Sequence, residues 1–147
     1  MDLPIAPIWR IHTLKPFSII IPVYNEADII VENTKTLMAY LMRRHKTFEI
    51  IIGSNGSVDN TVPLGEALAE QYPLVSFFHL EQRGVGYAFR QAVEMARYDF
   101  VVSLDMDLSI DLGFIDSRPW SSLIRVQFKV YSAIHNDATG KRSDLLS

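Results

Sequence analysis

Two aspartates one residue apart, Asp105 and Asp107, close the apolar run Phe100-Val101-Val102-Ser103-Leu104. A short run with β-branched content reads as a buried strand. In extended backbone, positions i and i+2 point to the same side, so both carboxylates can face one ligand. Converging carboxylates repel each other, and a cation between them relieves the repulsion. Hard oxygen donors of this kind suit Mg2+ or Mn2+. The bland alternative is an acidic loop that solvates a strand end, and the elements around the pair decide between the two.

Residues 1–16 read as a lead-in ending at Lys15-Pro16. Phe17 to Val23 is almost wholly apolar, the pattern of a strand covered on both faces, and Pro22 is expected to end it because proline cannot donate into a central ladder. From about Glu26 to Leu41 the period becomes helical, with Ile30, Thr34, Leu37, Met38 and Leu41 on one stripe. The basic patch Arg43-Arg44-His45-Lys46 suits the C-terminus of that helix. Phe48 to Ile52 reads as a second strand running into the turn-rich Gly53-Ser54-Asn55-Gly56-Ser57. Asp59 or Asn60 then offers an N-cap to a helix with Pro63 in its first turn and Leu64, Ala67, Leu68 and Tyr72 on its apolar face.

Val75 to Leu80 is a third strand. Arg83-Gly84-Val85-Gly86 is a loop opening a third helix, whose buried stripe is Phe89, Ala92, Val93 and Ala96. The strand that ends in the aspartate pair follows. Strands alternating with helices predict a three-layer α/β fold, a mostly parallel sheet with helices on both faces. Ligands of such sheets sit beyond the carboxyl ends of the strands, where the loops after Pro22, Ile52 and Leu104 would gather. Past Phe114 the pattern thins: Ile124 to Val130 alternates like a half-exposed edge strand, and Asn136 to Ser147 is a polar tail.

At 147 residues and 48% hydrophobic content the chain can bury a core as one domain. A net charge of −3 argues against a nucleic-acid surface. The absence of cysteine removes disulfides, zinc–thiolate sites and thiol catalysis, and fits a cytoplasmic location. No signal peptide is recognisable, and no apolar run approaches the ~20 residues of a membrane helix, so the expected chain is soluble or peripheral at a membrane. His12, His45, His79 and His135 share no ligand spacing and read as ordinary surface or core residues.

Four blocks in order resemble the family-2 glycosyltransferases with a nucleotide-diphospho-sugar transferase (GT-A) fold, within them the dolichyl- or polyprenyl-phosphate sugar synthase branch. They are Ile21-Pro22-Val23-Tyr24-Asn25-Glu26, Asn55-Gly56-Ser57-Val58-Asp59-Asn60-Thr61, Arg83-Gly84-Val85-Gly86-Tyr87-Ala88-Phe89-Arg90 and Asp105-Met106-Asp107-Leu108-Ser109. The resemblance implies that Pro22, Tyr24 and Glu26 line the base and ribose pocket, and that Asn55, Gly56, Arg83 and Gly84 also bind the nucleotide-sugar. Arg83 and Arg90 would add charge toward the diphosphate at a helix start, though a glycine pair before a helix is more often structural.

It further implies that Asp105 contacts the sugar-nucleotide, that Asp107 ligates a divalent metal, Mg2+ or Mn2+, and that the two form the catalytic pair. Asp111 fits a loop or cap better than a ligand. One departure stands out: the family's acidic pair before Gly-Ser is here Ser54-Asn55. A neutral Ser54 partners a base N–H less well than a carboxylate does.

The domain expectation is a lead-in at 1–16, a nucleotide-sugar-binding domain at 17–115, and a divergent strand and tail at 116–147. The family runs well beyond its metal motif, so the fold is expected to be truncated at its C-terminus, with self-association or a partner chain completing it. The implied function is metal-assisted inverting transfer of a hexose from a UDP- or GDP-sugar, with a polyprenyl phosphate as acceptor. The alternative is a non-catalytic, truncated nucleotide-sugar-binding remnant. A sugar-1-phosphate nucleotidyltransferase is disfavoured, because Pro22-Val23-Tyr24-Asn25 is not a glycine-rich, arginine-containing loop.

Overall fold

A computed structural model describes residues 16–44, 47–113 and 115. The strand expected at 124–130, the polar tail and nearly all of the lead-in lie outside the described residues. In chain order the elements are β1 (Phe17–Val23), α1 (Ile30–Arg44), β2 (Phe48–Asn55), α2 (Thr61–Gln71), β3 (Val75–Leu80), α3 (Val85–Met95) and β4 (Phe100–Ser103). The four strands form one parallel sheet in the order β3-β2-β1-β4.

Alternation along the strands divides the core between two faces. Phe17, Ile19, Ile21, Val23, Ile50, Ile52 and Val102 turn toward Ile30, Leu37, Met38 and Leu41 of α1 and Leu68 of α2. Ile20 and Ile51 turn the other way, onto Ala92 and Val93 of α3. Helices on both faces leave both sides of β1 and β2 dry, so these strands are apolar at nearly every position. Each fully buried Ile contributes roughly 1.5–3 kcal/mol over an exposed one. All five residues of the expected α1 stripe are buried.

Five local expectations need correction. Pro22 does not end β1, which continues to Val23 in register with Ser54. Ile20, of the same parity as Pro22, directs its carbonyl at Leu104 N of the β4 side. Pairing with β4 ends at Ile20, so the missing N–H of Pro22 faces a side with no ladder left to fill. Gly53, Ser54 and Asn55 are strand rather than turn, paired with Phe78, His79 and Leu80. Gly53 is required there because the Phe78 ring lies where its Cβ would be.

The first helix starts at Ile30 instead of Glu26, after a turn in which Glu26 O accepts from Ile29 N and Ile30 N. On α2, Ala67 is exposed, while Gly65 is buried and admits the Phe77 ring. Gly86 lies inside α3, which begins one residue after Gly84. Among the described residues, no helix is long and apolar enough to cross a membrane.

Candidate active site

With this strand order the direction of progression reverses between β1 and β4, and the crevice of such a sheet opens beyond the strand ends at that reversal. The loops after β1, β2 and β4 all emerge there. Beyond β4 the chain stays alternating: Leu104 and Met106 are 3% and 2% exposed, whereas Asp105 and Asp107 are exposed. The i, i+2 reading therefore holds, with Met106 as the inward anchor. The loop then turns back, Leu108 N donating to Asp105 O at 3.1 Å with Leu108 at φ 51°. One carboxylate oxygen of Asp107 accepts from Ser109 N at 3.0 Å, which fixes its rotamer.

Glu26, half-buried after β1, completes an acidic cluster. Burial pushes its carboxyl above the ordinary carboxylate range, and the nearby charges of Asp107, Asp59 and Asp105 push it further the same way. Asp59 was expected only as a possible helix cap, yet it belongs to this group. Its Oδ1 accepts from Thr61 N at 2.9 Å, so it caps α2, while Asn60 makes no side-chain cap bond. The Thr61 side chain holds the Asp59 carboxyl below its ordinary range.

The loops after β1 and β2 clasp each other through short polar side chains. Asn25, in the left-handed region at φ 49°, accepts on Oδ1 from Val58 N at 2.8 Å, while its own N donates to Ser57 Oγ at 3.0 Å. Glu26 N donates to Thr61 Oγ1 at 2.8 Å, and Ala27 N to Asp59 Oδ2 at 3.3 Å. Sequence reading missed Asn25, Ser57 and Thr61 as positioning residues. The clustering of Asn, Ser, Asp and Thr on two separate loops was the available signal.

The remaining candidates gather beside the cluster, over the end of β2. The Arg83 guanidinium stacks on the Tyr24 ring, 3.7 Å from its centroid. Asn55 is 7% exposed and its Oδ1 accepts from Gly84 N at 2.6 Å, so this oxygen clamps the start of α3 instead of facing a ligand. Gly56, at φ 74°, lies against the Arg83 backbone, where a Cβ would come within 3.2 Å of Arg83 N. Pro22 is half-buried opposite Gly53.

Ser54 is fully buried, its Oγ 3.0 Å from Nδ1 of His79 on β3. Ser54 thus commits its hydroxyl to His79 inside the sheet, and His79 is an ordinary half-buried residue, within the expected surface or core role. Arg90 stands apart from the cluster on α3, with its guanidinium 5.8 Å from the Tyr87 ring centroid and its Nε buried without a hydrogen bond. Asp111 accepts from Gly113 N at 2.9 Å, a turn residue as expected.

The donor set is hard oxygen throughout. Among the described residues, no three His, Cys, Asp or Glu side chains close into a metal cage. Carboxylate oxygens are the donors that Mg2+ or Mn2+ accepts beside ligand phosphates. Asp105 and Asp107 are exposed carboxylates of the loop after β4 that offer such oxygens.

The sequence model of glycosyl transferase family 2 matches residues 18–116. Glycosyltransferase AglD of Haloferax volcanii is 33% identical over 131 residues, 85% of this chain and 19% of that protein. A poly-beta-1,6-N-acetyl-D-glucosamine synthase of Staphylococcus aureus is 32% identical over 105 residues, 71% of this chain and 25% of that protein. Among solved structures, the mannosyltransferase PcManGT of Pyrobaculum calidifontis in complex with GDP-Man and Mn2+ superposes with a TM-score of 0.55 at 26% identity, over 73% of this chain and 31% of that one. TarS of S. aureus in complex with UDP gives a TM-score of 0.52 at 26% identity, over 63% and 27% of the two chains. The chain thus spans between 19% and 31% of the length of these relatives.

Proposed function

The chain belongs to glycosyltransferase family 2 and has the GT-A fold, and from that premise we propose that its crevice binds a nucleotide-diphospho-sugar, UDP- or GDP-linked, for metal-assisted inverting transfer of the hexose to a polyprenyl phosphate. One observation carries this reading. Three strand-end loops bring Glu26, Asp59, Asp105 and Asp107 into a single electrostatic cluster at the sheet's reversal point. Ionised together, these carboxylates repel one another. A divalent cation held at Asp107 would offset that repulsion and supply counter-charge to the donor diphosphate.

Bound beside Asp107, a divalent cation supplies counter-charge for the diphosphate. The residues of this chain do the rest. Asp105 orients the sugar-nucleotide, and Glu26 accepts from the ribose hydroxyls. The Tyr24–Arg83 pair flanks the nucleoside. In the transfer, an acceptor phosphate oxygen forms a bond to the anomeric carbon from the face opposite the leaving group. The bond from that carbon to the diphosphate oxygen breaks, and its electron pair departs with the nucleoside diphosphate. A phosphate monoester, with a second pKa of about 6, arrives already ionised, so this acceptor needs no general base. The ligands bound in similar structures support a nucleotide-sugar donor: GDP-Man in one and UDP in the other.

Calorimetric titration of GDP-mannose and UDP-glucose in the presence of Mn2+, on wild type and Asp107→Ala, tests the reading. The expected result is Mn2+-dependent binding of at least one donor, weakened about 10-fold or more in the variant. A folded wild-type chain that binds neither donor overturns it. Binding without transfer to a polyprenyl phosphate leaves the chain as a donor-binding domain, the second reading.

A further inference from the structure

The aspartate pair is held by a residue that lies on a helix, outside the strand-end loops. Helix α1 passes beneath the loop after β4. Asn33, half-buried in its first turn, donates from Nδ2 to the Met106 carbonyl at 2.9 Å, across 73 residues of sequence. The next residue, Thr34, is fully buried, and its Oγ1 lies 3.9 Å from Met106 Sδ. Adjacent residues of one helix thus grip both the backbone and the side chain of the single residue between Asp105 and Asp107.

The gripped carbonyl belongs to the peptide unit that carries the Asp107 amide. Fixing the plane of that peptide fixes the direction in which the Asp107 side chain leaves the backbone. Within the loop itself the hydrogen bonds among the described residues are local ones, from Leu108 N to Asp105 O and from Ser109 N to Asp107. Helix α1 is also covalently continuous with the turn that carries Glu26. One rigid helix therefore references two of the loops that must converge on the same ligand. Sites of this kind lose function when first-contact groups are about 0.5 Å out of place, and a supporting hydrogen bond from a rigid element is the usual remedy.

We propose that Asn33 is a positioning residue for the metal-ligating aspartate, acting through its hydrogen bond to the Met106 carbonyl to hold Asp107 in the geometry that captures a divalent cation with the donor diphosphate. The inference rests on the donor-site reading above and adds to it a residue outside the four blocks of resemblance.

The test uses the full chain with two substitutions. Asn33→Leu keeps the branched four-atom skeleton and the helix but removes the donor. Asn33→His returns an N–H at nearly the same distance from the backbone. Three quantities are measured: the Mn2+ midpoint at saturating GDP-mannose or UDP-glucose, nucleotide-sugar affinity in EDTA, and amide hydrogen exchange in the metal-free protein. Asn33→Leu is expected to raise the Mn2+ midpoint about 10-fold or more, with EDTA affinity within about 2-fold of wild type. Exchange at the amides of Asp107 and Leu108 is expected to accelerate without metal present, and Asn33→His to restore both properties.

A Mn2+ midpoint unchanged in Asn33→Leu overturns the proposal. So does a parallel loss of affinity with and without metal, accompanied by a lower melting temperature, because that marks a merely structural residue. If wild type itself binds no donor, the donor-site reading fails and the inference fails with it. If wild type binds and Asn33→Leu matches it, only the inference fails.

Discussion

Glu26 shows what single residues contribute here and what they cost. Its folded pKa is raised, first by burial and then by the carboxylates of Asp107, Asp59 and Asp105. A raised folded pKa means that the native state binds this proton more tightly than the unfolded chain. The associated stability is complete below the unfolded pKa and is lost as pH rises through the folded value. At neutral pH, without metal, ionised Glu26 therefore works against the fold. Glu26→Gln is expected to melt higher than wild type near pH 7 in EDTA. The gap should close as the pH falls into the carboxylate range, and added Mn2+ should shrink it as well. Thermal melts from about pH 4 to about pH 8, with and without Mn2+, check this. A variant that melts lower than wild type at every pH would mean that Glu26 is held by partners and not opposed by neighbours.

Among elements, the junction at the amino ends of β1, β2 and β4 is stitched by one side chain. Glu49 on β2 accepts on Oε1 from Ser18 Oγ of β1 at 2.6 Å and from Arg97 N, in the turn between α3 and β4, also at 2.6 Å. Ser18 Oγ in turn accepts from Tyr98 N at 3.3 Å. This knot sits at the opposite end of the strands from the crevice, yet it fixes where β4 enters the sheet and hence where Asp105 emerges. Glu49→Ala leaves Ser18 and Arg97 N without their acceptor and is expected to cost about 1–3 kcal/mol by urea unfolding. Glu49→Gln, which keeps an acceptor oxygen, should cost clearly less. Equal losses in the two variants would place the stabilisation in charge or packing instead of in the hydrogen bonds.

For the molecule as a whole, the site and the stability are linked. The loops that form the crevice close onto the same parallel sheet whose two faces carry the whole described core. A donor that binds only the folded chain stabilises it by about 2.7 kcal/mol at 100 times its dissociation constant. A nucleotide-sugar with Mn2+ should therefore raise the melting temperature of wild type and leave Asp107→Ala nearly unmoved. Mn2+ alone should give a smaller rise, because the protein contributes only part of the coordination shell. A donor-induced shift of equal size in EDTA would argue for a site that binds nucleotide without metal.

The order of strands and helices, the stripe of α1 and the outward pair Asp105 and Asp107 were all legible in the sequence. Each follows from a short-range rule: the period of apolar residues, or the two-residue repeat of extended chain. The four blocks fall at strand ends on one side of the sheet, since loops after strands of a parallel sheet gather at one end. What short-range rules could not reach depended on neighbours distant in sequence. Pro22 stays in a strand because β4 has stopped pairing beside it. Ser54 faces His79, and Asn55 faces Gly84, because β3 lies alongside β2 and carries β2 past the glycine. Asp59 joins the acidic cluster, and Asn33 reaches Met106, only once the sheet has folded these segments together. The sequence by itself determined which residues have chemistry to offer and at which end of the sheet they lie. Tertiary structure alone decided which of them face the crevice and which hold the others in place, because a side chain's partner across the sheet is set by register and not by its neighbours in the chain.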